Sequence, residues 1–144
     1  MKALILLPMV LLMASQAALA AEDTEFAAWM KTADTATRAL KSMDQKTGIE
    51  ATRNAERLEV IYENMVGFWR RYNAKDAVKW SEEGKAAAGR LAAAAGAGDM
   101  GKATAAFNVL GGTCQSCHDA RRERLAEGRF RIRFEPPPAP AVKR

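Results

Sequence analysis

Residues 47–72 read TGIEATRNAERLEVIYENMVGFWRRY. Leu58, Ile61, Met65, Phe68 and Tyr72 recur there at steps of three and four, the period of a helix that buries one face. Thr47 to Glu50 has capping-box spacing, so the pattern predicts a helix over about residues 48–72.

The same period extends in both directions. Upstream, Asp23 and Thr24 offer N-cap oxygens, and Phe26, Trp29, Met30, Ala33, Ala36, Leu40 and Met43 predict an amphipathic helix over about residues 24–43. Downstream, a third helix is expected from about Asp76 through Val78, Trp80, Ala87 and Leu91 to Ala95, where Gly96-Ala97-Gly98 supplies a stop. Asp99 can cap a fourth, over about residues 100–127, which carries Phe107, Leu110, Cys114, Cys117 and Leu125. Only residues 129–134 alternate like a strand. They stand before Pro136-Pro137-Pro138 and are read as an extended or frayed end. Four helices of about 20 residues, each about 30 Å long and joined by short connections, predict an all-α, antiparallel up-down-up-down four-helix bundle.

Length and composition agree with one such domain. The chain has 144 residues, 49% apolar and 27% charged, which excludes a disordered chain. Two Cys and one His exclude a four-ligand zinc site of Cys and His, and also a multi-disulfide scaffold.

Residues 1–20 open with Met1-Lys2, continue through an apolar stretch and end in Ala18-Leu19-Ala20, the layout of a secretory signal peptide. The expected organisation is a signal peptide over 1–20, a bundle over 21–128 and a basic, Pro-rich tail over 129–144. No later segment is apolar enough to span a membrane.

Charge is uneven. Residues 21–118 carry thirteen Lys/Arg and thirteen Asp/Glu, whereas residues 119–144 carry eight basic and four acidic side chains. The basic residues are not interleaved with a stacking platform, which argues against nucleic acid. Docking to an acidic partner, or pairing with carboxylates of a bound cofactor, fits better.

The chemistry sits in Cys114-Gln115-Ser116-Cys117-His118. C-x-x-C-H is the attachment signature of c-type haem, in which each thiol adds to a vinyl group and the His supplies a nitrogen to iron. On a helix all three side chains project from one face. A thioredoxin-like dithiol would need a βαβ context absent here, and a structural disulfide leaves the His unexplained. Gly111 and Gly112, just before the motif, let the backbone approach a flat macrocycle or mark a local break.

Around this motif, Ala105-Ala106-Phe107 to Gly111, Thr113 to Ala120, and Arg122 four residues past the His resemble the last helix of class II cytochromes c. These are the cytochrome c-prime family and its low-spin relatives. The resemblance implies one covalently attached haem c near the C-terminus of a four-helix bundle, with His118 on the iron. Counting along antiparallel helices places Met30 and Met65 level with His118, and Met43 and Met100 about 18 Å or more away. The resemblance favours Met30 as sixth ligand, because Trp29-Met30-Lys31 is similar to the first-helix segment that carries it in low-spin members. Phe26 stands where the family often has a basic residue for a haem propionate, so Lys31, Arg122 or another cation must substitute.

Trp29, Phe68, Trp69 and Phe107 are expected to pack in the core or on the haem. Arg121, Arg122 and Arg124 read as a solvated helical face, with Arg122 touching the haem or its rim. The expected function is a periplasmic one-electron carrier, not an enzyme, working between redox partner proteins. The alternative is a five-coordinate high-spin protein that binds nitric oxide or carbon monoxide. High-spin members often form dimers through their first two helices, so a homodimer is a possible assembly.

Overall fold

In a computed structural model, residues 6–135 are described, with side chains from residue 24 onward. The helices are α1 (Leu6–Ser42), α2 (Ile49–Arg71), α3 (Lys75–Gly96) and α4 (Met100–Arg121). A short antiparallel hairpin follows, β1 (Arg122–Arg124) and β2 (Phe130–Ile132). Among the described residues, no helix is long and apolar enough to cross a membrane.

The periodic positions form the core. Leu58, Ile61, Met65 and Phe68 of α2 are buried, as are Ala77, Ser81, Gly84, Ala88, Leu91 and Ala95 of α3 at alternating steps of four and three. Each fully buried leucine contributes about 1.5–3 kcal/mol of transfer free energy. Successive helices pack on one another, giving the four-helix bundle that the periodicity predicts.

Helix ends follow local chemistry where the sequence carries it. α3 stops at Gly96, and Gly98 takes φ +71° while its N–H and that of Asp99 donate to the Ala95 and Ala94 carbonyls. Asp99 then caps α4, its Oδ1 accepting from the Lys102 N–H at 3.0 Å. At α2 the capping box over residues 47–50 does not form. Gly48 is the N-cap at φ +87°, and its N–H donates to the Ala95 carbonyl, a turn conformation open to glycine.

Three boundaries differ from the sequence reading. α1 begins at Leu6 rather than near Thr24, because the preceding run is rich in strong helix formers whose all-round apolarity gives no amphipathic period. α4 ends at Arg121 rather than near Glu127. Residues 122–124 have good helix formers, but Arg122 is extended and pairs with Ile132, and the Arg133 N–H donates to the Arg121 carbonyl. Partners distant in sequence end the helix where local propensity would continue it. Third, residues 130–132 are a paired strand rather than a frayed end, joined to β1 by a 3₁₀ turn over Ala126–Gly128. Residues 136–144, with the Pro run, lie outside the described residues.

The hairpin folds back onto the bundle. The Phe134 ring lies 4.4 Å from Tyr72, at the end of an aromatic cluster in which Phe26 meets Phe68 at 4.7 Å and Trp69 at 5.4 Å. That cluster pins α1 to α2. No comparable packing joins α1 to α4 among the described residues, and the site occupies the space between them.

Candidate cofactor site

Residues of α1 and α4, together with α2, Trp80 and Ser81 of α3 and the hairpin, line a cavity of about 470 Å³. The volume lies within the roughly 300–1,000 Å³ typical of cofactor pockets. Phe26, Met30 and Ala33 line it from α1, and Ile61, Met65 and Trp69 from α2. From α4 come Cys114, Cys117 and His118, brought to one face by their spacing of three and one. Arg122, Phe130 and Ile132 complete the rim.

The two thiols are unbridged and half-buried. Cys114 Sγ lies 3.0 Å from the hydroxyl of Tyr62, and either atom can donate. Burial raises the Cys114 thiol above its ordinary value, against the opposing Tyr62 hydrogen bond. Burial, then the neighbouring Cys114, pushes Cys117 up to about 12. Burial and the Cys114 sulfur also push the Tyr62 phenol far up, so the pair meets at neutral pH as thiol and phenol. A dithiol oxidoreductase needs a thiolate with a lowered pKa; these sulfurs are held the other way.

His118 is shifted downward, first by burial and then by the positive charge of Arg122, with Asp119 opposing. Its imidazole is therefore neutral at pH 7, the form that ligates metals. Among the described residues, no three His, Cys, Asp or Glu side chains converge to hold a metal ion by themselves.

The structure brings Cys114, Cys117, His118, Met30 and Arg122 to a single cavity, and Met65 with them. Met43 and Met100 do not line it. Of the expected packing aromatics, Phe68 and Trp69 are fully buried, and Trp29 meets Phe68 edge-on at 6.2 Å. Phe107 stands away from the cavity, beneath Lys46. Gly111 and Gly112 lie within an unbroken α4, so the local break does not hold; both are exposed, with open space where a Cβ would stand.

Arg121 differs most from the expectation of a solvated face. It is 5% exposed and lines the cavity. Its Nη2 donates to Asp76 Oδ1 at the start of α3, and its Nη1 donates to the Phe134 carbonyl beyond β2. Burial acts to raise the Asp76 carboxyl, but the Arg121 guanidinium and the Ala77 amide outweigh it and hold the group below its ordinary value. A signal for Arg121 existed in the sequence: with Cys114, Cys117 and His118 it completes a 3-1-3 spacing on one helical face. Arg122, by contrast, is exposed, its guanidinium 4.4 Å over the Phe130 ring.

Tyr62 is a further residue that the sequence does not single out. Its ring lies over Gly84 of α3, where a Cβ would come within 2.3–2.6 Å of three ring carbons. Glycine at that point lets α2 and α3 approach closely enough to deliver the phenol to Cys114.

With this geometry in place, one comparison with known proteins is informative. Over 35 residues the chain is 51% identical to cytochrome c′ of Alcaligenes xylosoxydans xylosoxydans, a stretch covering 24% of this chain and 28% of that protein. The match thus spans just over a quarter of that relative's length, and supports kinship with the cytochrome c-prime family at that level. No family model matches the chain, and no solved structure does.

Proposed function

We propose that this chain is a class II c-type cytochrome that carries one electron at a time between larger redox proteins in the periplasm, after removal of residues 1–20. The observation that carries the reading is the meeting of both cysteines, the single His and Met30 in one apolar cavity of cofactor size. The short similarity to cytochrome c′ supports the c-type cytochrome part of this reading.

Haem c, when bound, supplies a ferric/ferrous couple. Cys114 and Cys117 would hold it through two thioether bonds, and His118 through its neutral imidazole. Met30 would give the sixth ligand from α1, its thioether favouring the ferrous state. Phe26, Ile61 and Met65 exclude water from the cavity and keep its dielectric low, which also bears on the potential. No bond-making substrate is required.

The hairpin suggests where partners dock. Phe130, half exposed, lies between the guanidinium groups of Arg122 and Arg124, and with Arg131 it borders the cavity. An aromatic ringed by cations beside the cofactor suits an acidic partner surface, which it would attract in a salt-dependent way.

The absorption spectrum of the oxidised protein tests the sixth ligand. Low-spin bands with a weak red Met-to-iron transition are expected, and Met30→Ala should convert them to high-spin. Low-spin bands unchanged in Met30→Ala move the ligand to Met65. High-spin bands in the unaltered protein favour the five-coordinate reading, with an apolar pocket for nitric oxide or carbon monoxide.

A further inference from the structure

The two thiols of the cavity are not held alike. The Tyr62 hydroxyl lies 3.0 Å from Cys114 Sγ, and no comparable bond reaches Cys117 Sγ among the described residues. The contact joins α2 to α4 across 52 residues of sequence, so helical spacing does not produce it. It is built from α3: Tyr62 is buried, and its ring occupies the place that a side chain at Gly84 would take. A buried phenol needs a hydrogen-bond partner, and sulfur is a weak one, both as donor and as acceptor. The nearby Thr113 hydroxyl is itself engaged, donating to the Leu110 carbonyl at 2.8 Å. Tyr62 and Cys114 both line the cavity.

Attachment asks something of Cys114 that its burial opposes. Thioether formation is an addition: the S–H bond breaks, Sγ bonds to the inner carbon of a haem vinyl group, and the proton ends on the outer carbon, which becomes a methyl group. No oxidant or reductant is consumed. A sulfur attacks as the thiolate, and burial disfavours that form of Cys114, while the Tyr62 bond acts in the opposite direction. A phenol suits this task. Burial keeps Tyr62 protonated at neutral pH, so its O–H stays available to donate as negative charge develops on the sulfur. A donor already in place needs no rearrangement at the moment of bond formation.

We infer that Tyr62 is a positioning residue for haem attachment: seated over Gly84, its hydroxyl fixes Cys114 Sγ at the cavity wall and stabilises that sulfur as it adds to the vinyl group. Cys117, which has no such partner, attaches without it. The inference rests on the proposed function above and adds to it a residue of α2, outside the attachment motif, that acts on one of the two bonds.

The test compares the full chain with Tyr62→Phe and Gly84→Ala, each recovered from expressing cells at several times after induction. Intact mass gives the fraction that carries haem. Alkylation of free thiols in denaturant, followed by digestion and fragmentation, shows which cysteine is unattached. Tyr62→Phe keeps the ring over Gly84 and removes only the hydroxyl. The expected result is attachment at Cys114 about tenfold slower relative to Cys117, the effect of one hydrogen bond to a charged group. It is read as early chains joined to haem through Cys117 alone. Gly84→Ala keeps the hydroxyl but displaces the ring, and should shift the products in the same direction. An unchanged product distribution in Tyr62→Phe at every time overturns the inference and leaves the proposed function intact. Equal loss of attachment at both cysteines also overturns it, because weakened packing alone gives that result. Absence of covalent haem from the unaltered protein overturns both.

Discussion

Along the α2–α3 seam, Tyr62 lies over Gly84, and Ala51, Ala55, Ala87, Ala88 and Ala95 are fully buried, so small side chains draw the two backbones together. Across the bundle, α1 and α4 carry Phe26, Met30, Cys114, Cys117 and His118 and leave a cavity of about 470 Å³ between them. One seam is complete in amino acids alone. The other brings two thiols, an imidazole and a thioether to a gap that α2 and the hairpin also line. Small residues close a core, whereas larger side chains aimed at a gap keep it open for something else.

The largest effect on this contrast should come from the attachment residues. Cys114→Ala with Cys117→Ala is expected to abolish covalent haem, and hydrogen exchange should then quicken in α1 far more than in α2 and α3. Equal quickening in all helices would mean that the two seams do not differ in their dependence on the cofactor. On the closed seam, Gly84→Ala should destabilise the fold by about 1–3 kcal/mol in chemical denaturation, because a methyl group must displace the Tyr62 ring. It should also loosen the contact between Tyr62 and Cys114.

Asp76→Asn probes the joint between the two regions. Removing the carboxylate that faces buried Arg121 should cost about 1–2 kcal/mol at pH 7, discounted because Asp76 is itself partly exposed. The folded carboxyl titrates below its unfolded value of about 3.9, so this contribution is complete above about pH 4 and is lost as pH falls through the folded value. The stability difference between wild type and Asp76→Asn should therefore shrink in acid; a difference that stays constant down to pH 2 would rule out the ion pair. The smallest effect is expected at the hairpin surface, where Arg124→Ala should slow association with an acidic partner at low salt and leave the rate at high salt unchanged.

How far the sequence carried this picture depends on whether each feature is encoded locally. The steps of three and four from Leu58 to Tyr72, the Gly96 to Asp99 turn and the C-x-x-C-H spacing depend on near neighbours, and the fold and the cavity-lining set follow from them. Counting residues along antiparallel helices was enough to separate Met30 and Met65, which line the cavity, from Met43 and Met100, which do not. The end of α4 was not legible, since the Arg122-Glu123-Arg124 run that follows favours a helix, and Asp76, Ile132 and Phe134 end it from 10 to 45 residues away. For the same reason Arg121 read as a surface charge. Its burial depends on an aspartate on another helix that no local pattern points to.

Intact-mass spectrometry of the chain recovered from expressing cells, followed by digestion to the peptide containing Cys114 and Cys117, tests the central claim most directly. The account predicts a chain beginning at Ala21 with the mass of one haem attached through both sulfurs of that peptide. Two free thiols, or a disulfide between them, on a chain that carries no haem would contradict it.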